Sequence, residues 1–385
     1  MKDHSHVRLH LVVFALVSAA FTNIYLTQPV LPVLQREFGA DLVQVSFSVS
    51  AVILGIAIAN LPFGLLADRF PIRPIILVGG LVVAVVGVFC AITRDFWWFI
   101  AARFLQGLFI PALTTCLAAY VSKTVSPDRL GVVMGSYVSA TVLGGLGGRL
   151  LGGWIHPPLH WRYAFVSAAV LTLLATLVAV RNLPKSSISS GPKGSTVSFL
   201  TLLTRWDLLR IYLCTMGSFA VFSSVFNYLP YRLSASPFNF STGMITLLYL
   251  VYVLGIFVGP LSGRLSHRFG VGRTLLVGSL VLAIALGLLL LPSTIAVVFG
   301  LLALCGGFFT LHAAAVGALN RKLSSGQGKA NALYVLLYYI GGWLGITGAG
   351  YVYQGSGWST LIYSLLLLVL IPFSTGLAEY KYDRS

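Results

Sequence analysis

Long apolar runs alternate with short polar breaks along the whole chain, and each run is continuous rather than alternating residue by residue. Twelve runs, at about 9–32, 44–66, 74–93, 96–121, 130–155, 163–181, 208–231, 242–264, 274–292, 295–318, 329–353 and 358–378, approach the roughly 20 residues that a helix needs to cross a bilayer core of about 30 Å. Strands of a membrane barrel would alternate apolar and polar positions over about ten residues. The pattern therefore predicts an all-α membrane protein with twelve transmembrane helices. The first run follows MKDHSHVR, which has the charge of a secretory signal. It is too long for one and eleven more runs follow, so it is expected to remain as a helix.

One polar segment between runs is long: residues 183–207, rich in Ser, Gly, Pro and Lys. It reads as a cytoplasmic linker joining a six-helix half at 1–182 to a second at 208–385. Repeats support the division. GLLADRF at 64–70 returns as GRLSHRF at 263–269, an offset of 199, and LQG at 105–107 aligns with LCG at 304–306. GGLGGRLLGG at 144–153 aligns with GGWLGITGAG at 341–350, pairing Gly144 with Gly341, Gly145 with Gly342, Gly148 with Gly345 and Gly153 with Gly350. Six spans separate the copies, so the halves are expected to be related by a pseudo-two-fold axis along the membrane normal. Such halves suit alternating access around a central site.

Composition agrees with lipid as the solvent: 57% of residues are hydrophobic and 9% charged. A net charge of +16 would suggest nucleic acid in a soluble domain, but its distribution assigns it to topology. With both termini in the cytoplasm, nineteen of the 25 Lys and Arg fall on cytoplasmic segments and four outside, the asymmetry expected of cytoplasmic loops. No nucleic-acid partner is expected. The four cysteines sit within predicted helices at spacings that fit no metal motif, so neither a metal nor another cofactor is implied.

The repeat copies carry a likeness to a known family. Gly64, Leu66, Asp68, Arg69 and Arg73 fall on the pattern Gly-x-Leu-x-Asp-Arg-x-Gly-Arg-Arg, Arg103, Gln106 and Gly107 on an Arg followed by Gln-Gly, and Gly148, Gly152 and Gly153 on Gly-Pro-x-x-Gly-Gly, with Arg149 where the proline is expected. By these motifs the chain resembles the major facilitator superfamily of secondary transporters over nearly its whole length. With YLTQPVLPVL at 25–34 and HWRYAF at 160–165, it looks most like bacterial inner-membrane efflux-type members, drug or sugar proton antiporters.

The resemblance implies a latch at the cytoplasmic edge, where Asp68 faces the start of the eleventh helix and neighbouring arginines complete a charge cluster. GQGKANA at 326–332, with Lys329, offers free N–H groups and a positive helix end there. The competing reading is that Asp68 caps a turn and balances Arg69 and Arg73. In the second half His267, beside Arg268, replaces the acid. Ser126, Pro127 and Asp128 read as an N-cap, an N1 proline and a first-turn acid, so a second carboxylate there would meet repulsion. Gly64, Asp68, Arg69, Arg73, Asp128, Arg268 and Lys329 form the expected latch group.

Arg103 and Arg149 lie inside predicted spans, where a charge costs roughly 2.5–3.5 kcal/mol on insertion scales. At a rise of about 1.5 Å per residue both sit on the order of 10 Å below the outer surface. Either they bind a carboxylate or phosphate of a substrate, or each satisfies helix carbonyls and nearby Gln or Asn side chains, Arg103 with Asn23 or Gln28. In the resembled architecture spans one, four, seven and ten line the cavity, which adds Gln106, Asn227, Tyr228 and His312; Tyr334 and Tyr338, one helical turn apart, share a face of span eleven. Gly144, Gly148, Gly152 and Gly153 are expected to let helices approach closely.

The function expected is a monomeric secondary transporter of the bacterial inner membrane that moves a small organic solute, by efflux coupled to proton antiport. Predicted spans contain no Asp or Glu, which leaves His312 as the titratable group near mid-membrane. Facilitated uniport or exchange of an anionic or neutral polar solute is the alternative, and a non-transporting sensor on a transporter fold a second one. A membrane-embedded enzyme would need a positioned acid pair, His cluster or nucleophile triad, and the spans supply none.

Overall fold

In the computed structural model the described residues are 2–183 and 197–382; for residues 2–8, 127, 128 and 131 the backbone alone is described. The middle of the expected linker, 184–196, and the side chain of Asp128 lie outside the described residues. Fifteen α-helices are present among those described: α1 Lys2–Tyr25, α2 Leu31–Phe38, α3 Leu42–Arg69, α4 Ile72–Ile92, α5 Phe96–Leu113, α6 Thr115–Thr124, α7 Pro127–Ile155, α8 Arg162–Asn182, α9 Phe199–Thr204, α10 Trp206–Ser234, α11 Thr242–Leu248, α12 Leu254–Phe269, α13 Val271–Leu289, α14 Thr294–Arg321 and α15 Gln327–Tyr382.

Each predicted span has a helix, although the breaks fall where periodicity alone does not place them. The first span ends early because Pro29 and Pro32 cannot continue a backbone ladder; a 3-10 turn at Gln28–Val30 and the short α2 follow. The fourth is α5 plus α6, the eighth is α11 plus α12 joined by a 3-10 turn at Tyr249–Val253. The eleventh and twelfth run together as α15, bent at Gly357, whose φ of 78° and ψ of −174° only glycine adopts readily.

Two of the nine acids cap helices. Asp41 accepts from Gln44 N at 2.8 Å while the Gln44 side chain accepts from Asp41 N, a reciprocal cap of α3. Asp95 caps α5 through Trp98 N at 2.9 Å. Ser126 is the N-cap residue of α7 with Pro127 at N1, as expected, but its hydroxyl makes no capping bond.

Two compact units make up the chain: Met1–Lys193 with Ile245–Tyr249, and Gly194–Met244 with Leu250–Ser385. Within the first, α7 lies on α1 with the small-residue face inward. A Cβ on Gly144, Gly148 or Gly152 would collide with the backbone carbonyl of Ser18, Thr22 or Leu26 respectively, and one on Gly153 would meet the Thr246 hydroxyl. Within the second unit, Gly341 and Gly345 of α15 face Met216 and Ala220 of α10 in the same way. The internal repeat is therefore a repeat of backbone contacts.

Candidate functional site

In the first unit Arg103, Gln106, Asn23 and Thr172 form one connected polar network. Arg103 of α5 is fully buried. Its Nε donates to Ser48 O at 2.8 Å, Nη1 to Asn23 O at 2.9 Å and to Gln106 Oε1 at 2.6 Å, and Nη2 to Ile24 O at 3.0 Å. Four of its five N–H groups are thus taken by the protein. Gln106 Nε2 reaches Val83 O at 3.1 Å, and Asn23 Nδ2 donates to Ala19 O at 2.8 Å and Thr172 Oγ1 at 2.9 Å. The network ties α1, α3, α4, α5 and α8 together and compensates a charge that would otherwise be costly in a low dielectric.

Arg149, also buried, is held differently. Nε donates to Gln28 Oε1 at 2.8 Å and Nη1 to Gly145 O at 2.8 Å, and the guanidinium lies 4.0 Å from the centroid of the Tyr25 ring. Both arginines bond to helix carbonyls; Arg103 meets the backbone oxygen of Asn23 and the amide of Gln106, while Gln28, weighed as a partner of Arg103, bonds to Arg149 instead. Two amide atoms in this unit are buried without a hydrogen-bond partner: Asn23 Oδ1 and Gln28 Nε2.

The second unit offers an aromatic interior. Phe219 stacks on Tyr338 with centroids 3.8 Å apart, and Phe222 on Phe308 at 3.9 Å. His312 sits among these rings: its Nδ1 is 3.0 Å from Tyr334 Oη, and its centroid is 5.6 Å from that of Tyr334 and 5.4 Å from that of Tyr338. The one-turn spacing of the two tyrosines does place them on a common face, against His312. Tyr228 Oη donates to Ile346 O at 2.7 Å. Asn227 is fully buried, and neither Oδ1 nor Nδ2 has a partner.

The polar edges hold the expected latch residues together with partners that sequence reasoning missed. Asp68 pairs with Lys123 at 2.6 Å, both side chains well exposed. Arg73 donates from Nε and Nη2 to Leu183 O, and Arg69 is exposed. A Cβ on Gly64 would meet nothing within 4 Å. Lys329 Nζ donates to Val197 O at 2.9 Å, and exposed Arg268 lies 5.3 Å from the Phe269 ring centroid. In the second unit a carboxylate beyond the last apolar run, Glu379, is almost fully buried between Arg210 Nη2 at 2.6 Å and Lys322 Nζ at 3.0 Å. Lys322 stands 199 residues after Lys123, the offset that relates Asp68 to His267. The same lysine of the repeat thus finds its acid on α3 in the first half and on α15 in the second. The signal was available: Glu379 is the sole acid between Asp207 and Asp383.

Comparison with known proteins agrees with this architecture. The family model described as Major Facilitator Superfamily matches residues 13–346. The chain is 28% identical to the inner membrane transport protein YnfM of Escherichia coli (strain K12) over 377 residues, covering 96% of this chain and 90% of that one. It is 26% identical to the uncharacterized MFS-type transporter YybF of Bacillus subtilis (strain 168) over 371 residues, 94% and 91% of the two chains. A bacterial homolog of the human lysosomal transporter Spinster, solved in an inward-facing and occupied conformation, superposes with a TM-score of 0.80 at 15% identity, over 100% of this chain and 97% of that one.

Proposed function

The chain belongs to the major facilitator superfamily and is a multi-pass membrane transporter of small molecules, not an enzyme, and from that premise we propose that it exports a small neutral, polar organic solute by proton antiport. Support for the neutral class comes from where unused hydrogen-bonding capacity lies in the interior. Arg103 and Arg149 are engaged by protein acceptors, whereas Asn23 Oδ1, Gln28 Nε2 and both polar atoms of Asn227 are buried and unpartnered. An uncharged hydroxyl or amide satisfies such atoms without the desolvation cost of an ion.

Export rests on the likeness of GGLGGRLLGG to the antiporter motif, and proton coupling on His312, whose imidazole shares a hydrogen bond with Tyr334. The assignment to an inner membrane with both termini in the cytoplasm rests on the Lys and Arg distribution. Asp68 is the residue we assign to switching between states, with Lys123 as its partner in one of them.

Uptake of radiolabelled neutral polyols, carboxylic acids and cationic dyes into inverted vesicles, with and without an imposed pH gradient, tests the reading. Accumulation of a neutral solute that collapses with the gradient and in His312→Ala supports it. Gradient-driven uptake of the acids or dyes alone rejects the solute class, and coupling that survives His312→Ala rejects the carrier.

A further inference from the structure

At the end of the first unit opposite Asp68, the tips of α2, α4 and α8 flank an open cleft of about 640 Å³ lined by Glu37, Ile92, Arg94, Arg162, Tyr163 and Val166, among others. Its frame is rigidly built. Glu37 accepts from Arg162 Nη2 at 3.0 Å and from Trp161 Nε1, and lies 3.5 Å from His160 Nε2. Arg162 also donates to Ala91 O at 3.1 Å and to Thr93 O. Glu37 is thereby neutralised and Arg162 fixed, leaving Arg94 as the cation of this lining that has no hydrogen bond or ion pair among the described residues. Arg94 is exposed.

Three features set what this cleft takes. Ile92, Tyr163 and Val166 are exposed at 68%, 56% and 40%, and exposed apolar side chains on a membrane-spanning helix face hydrocarbon. Trp97 and Trp98, three and four residues after Arg94 at the start of α5, are exposed at 57% and 65%, placing this level at the interface where amphipathic rings settle beside headgroups. The same lining holds the exposed Arg94 guanidinium, without a hydrogen bond or ion pair among the described residues, whose planar donors match a phosphate. An apolar slot with a cation at headgroup depth fits one occupant.

We infer that this cleft is a binding site for an anionic phospholipid, with the phosphodiester on Arg94 and an acyl chain along Ile92 and Val166.

Native mass spectrometry of the purified full chain in detergent tests this with dioleoylphosphatidylglycerol, dioleoylphosphatidylcholine and inorganic phosphate as probes. Phosphatidylglycerol is expected to bind more tightly than phosphatidylcholine, and Arg94→Gln to weaken it about five-fold, the effect of one basic residue near a charged surface. Arg36→Gln, on α2 but outside the lining, keeps the wild-type affinity and controls for overall charge. Unchanged phosphatidylglycerol binding in Arg94→Gln overturns the site. Equal loss in Arg36→Gln reduces it to general electrostatics, and displacement of the lipid by millimolar phosphate makes it an anion site rather than a lipid site. Arg94 is exposed and makes no hydrogen bond or ion pair among the described residues, so Arg94→Gln is expected to leave the fold intact, with the melting temperature as the check.

Discussion

Arg149 Nε donates to Gln28 Oε1 at 2.8 Å, joining α7 to the 3-10 turn that ends the first span. The pair makes the packing role of the arginine measurable. Arg149→Met removes the donor and leaves Gln28 with its whole amide buried and unsatisfied; Gln28→Leu leaves the arginine short of an acceptor. The double variant removes both sides. A double-mutant cycle on thermal or denaturant unfolding in detergent is expected to return a coupling of about 1–2 kcal/mol. A coupling near zero would mean that the hydrogen bond contributes nothing to folding.

Arg103 is expected to be more sensitive than Arg149. Arg103→Lys keeps the charge but loses the fork that serves Ser48 O, Asn23 O and Ile24 O at once. Each buried group left unmet costs about 1–3 kcal/mol. The expected outcome is a large fall in monodisperse protein on fluorescence-detected size-exclusion chromatography. A fully stable Arg103→Lys protein with abolished transport would instead place the guanidinium on the solute.

How far these roles were readable in the sequence differs from residue to residue. The twelve spans follow from run length, because a bilayer imposes one length on every helix. Equal depth of Arg103 and Arg149 is what rise per residue leads one to expect, and the amides named for Arg103, Asn23 and Gln28, end on different arginines. Lys123 as the partner of Asp68 did not follow, since ion pairs across 55 residues depend on which helices touch. Glu379 was passed over because it lies beyond the apolar run, although its helix continues to Tyr382 and buries it. The breaks at Tyr249–Val253 and after Leu113 depend on tertiary packing that a hydropathy pattern does not carry.

Gly148 and its repeat partner Gly345 make the same demand in the two halves. Each admits no side chain between its helix and the carbonyl of Thr22 or the backbone of Ala220. Gly148→Val and Gly345→Val are each expected to destabilise by about 1–3 kcal/mol or more, as overpacked contacts do, whereas Gly64→Ala, facing open space, changes unfolding by little. The measurement is the shift in melting temperature of the three variants. Equal shifts for all three would dismiss the close-approach argument.

Asp68 and Lys123 are exposed, so their pair contributes about 0–1 kcal/mol to stability. Asp68→Asn is therefore expected to melt within a degree or two of wild type while shifting the reactivity of cysteines introduced at the two membrane faces. The charge reversal Asp68→Lys with Lys123→Asp separates two explanations. Recovery of the wild-type accessibility pattern identifies the pair itself as the switch; failure to recover shows that the carboxylate at position 68 is required for another contact.

His156, just past the end of α7, should leave a pH signature in stability. Burial, then the neighbouring His160 and Arg36, favour its neutral form and hold its pKa below the ordinary value of 6.5, against a weaker opposite pull from the Leu159 backbone and Glu37. The unfolded chain therefore takes up the proton more readily than the folded one. Its contribution is fully present above pH 6.5 and is lost as pH falls through that value toward the lower folded pKa. Melting temperatures of wild type and His156→Asn, measured in detergent from pH 8 to pH 5, test the sign. Wild type is expected to fall more steeply than the variant below about pH 6.5. Parallel curves would show that His156 titrates alike in both states, and a shallower wild-type fall would reverse the assigned direction.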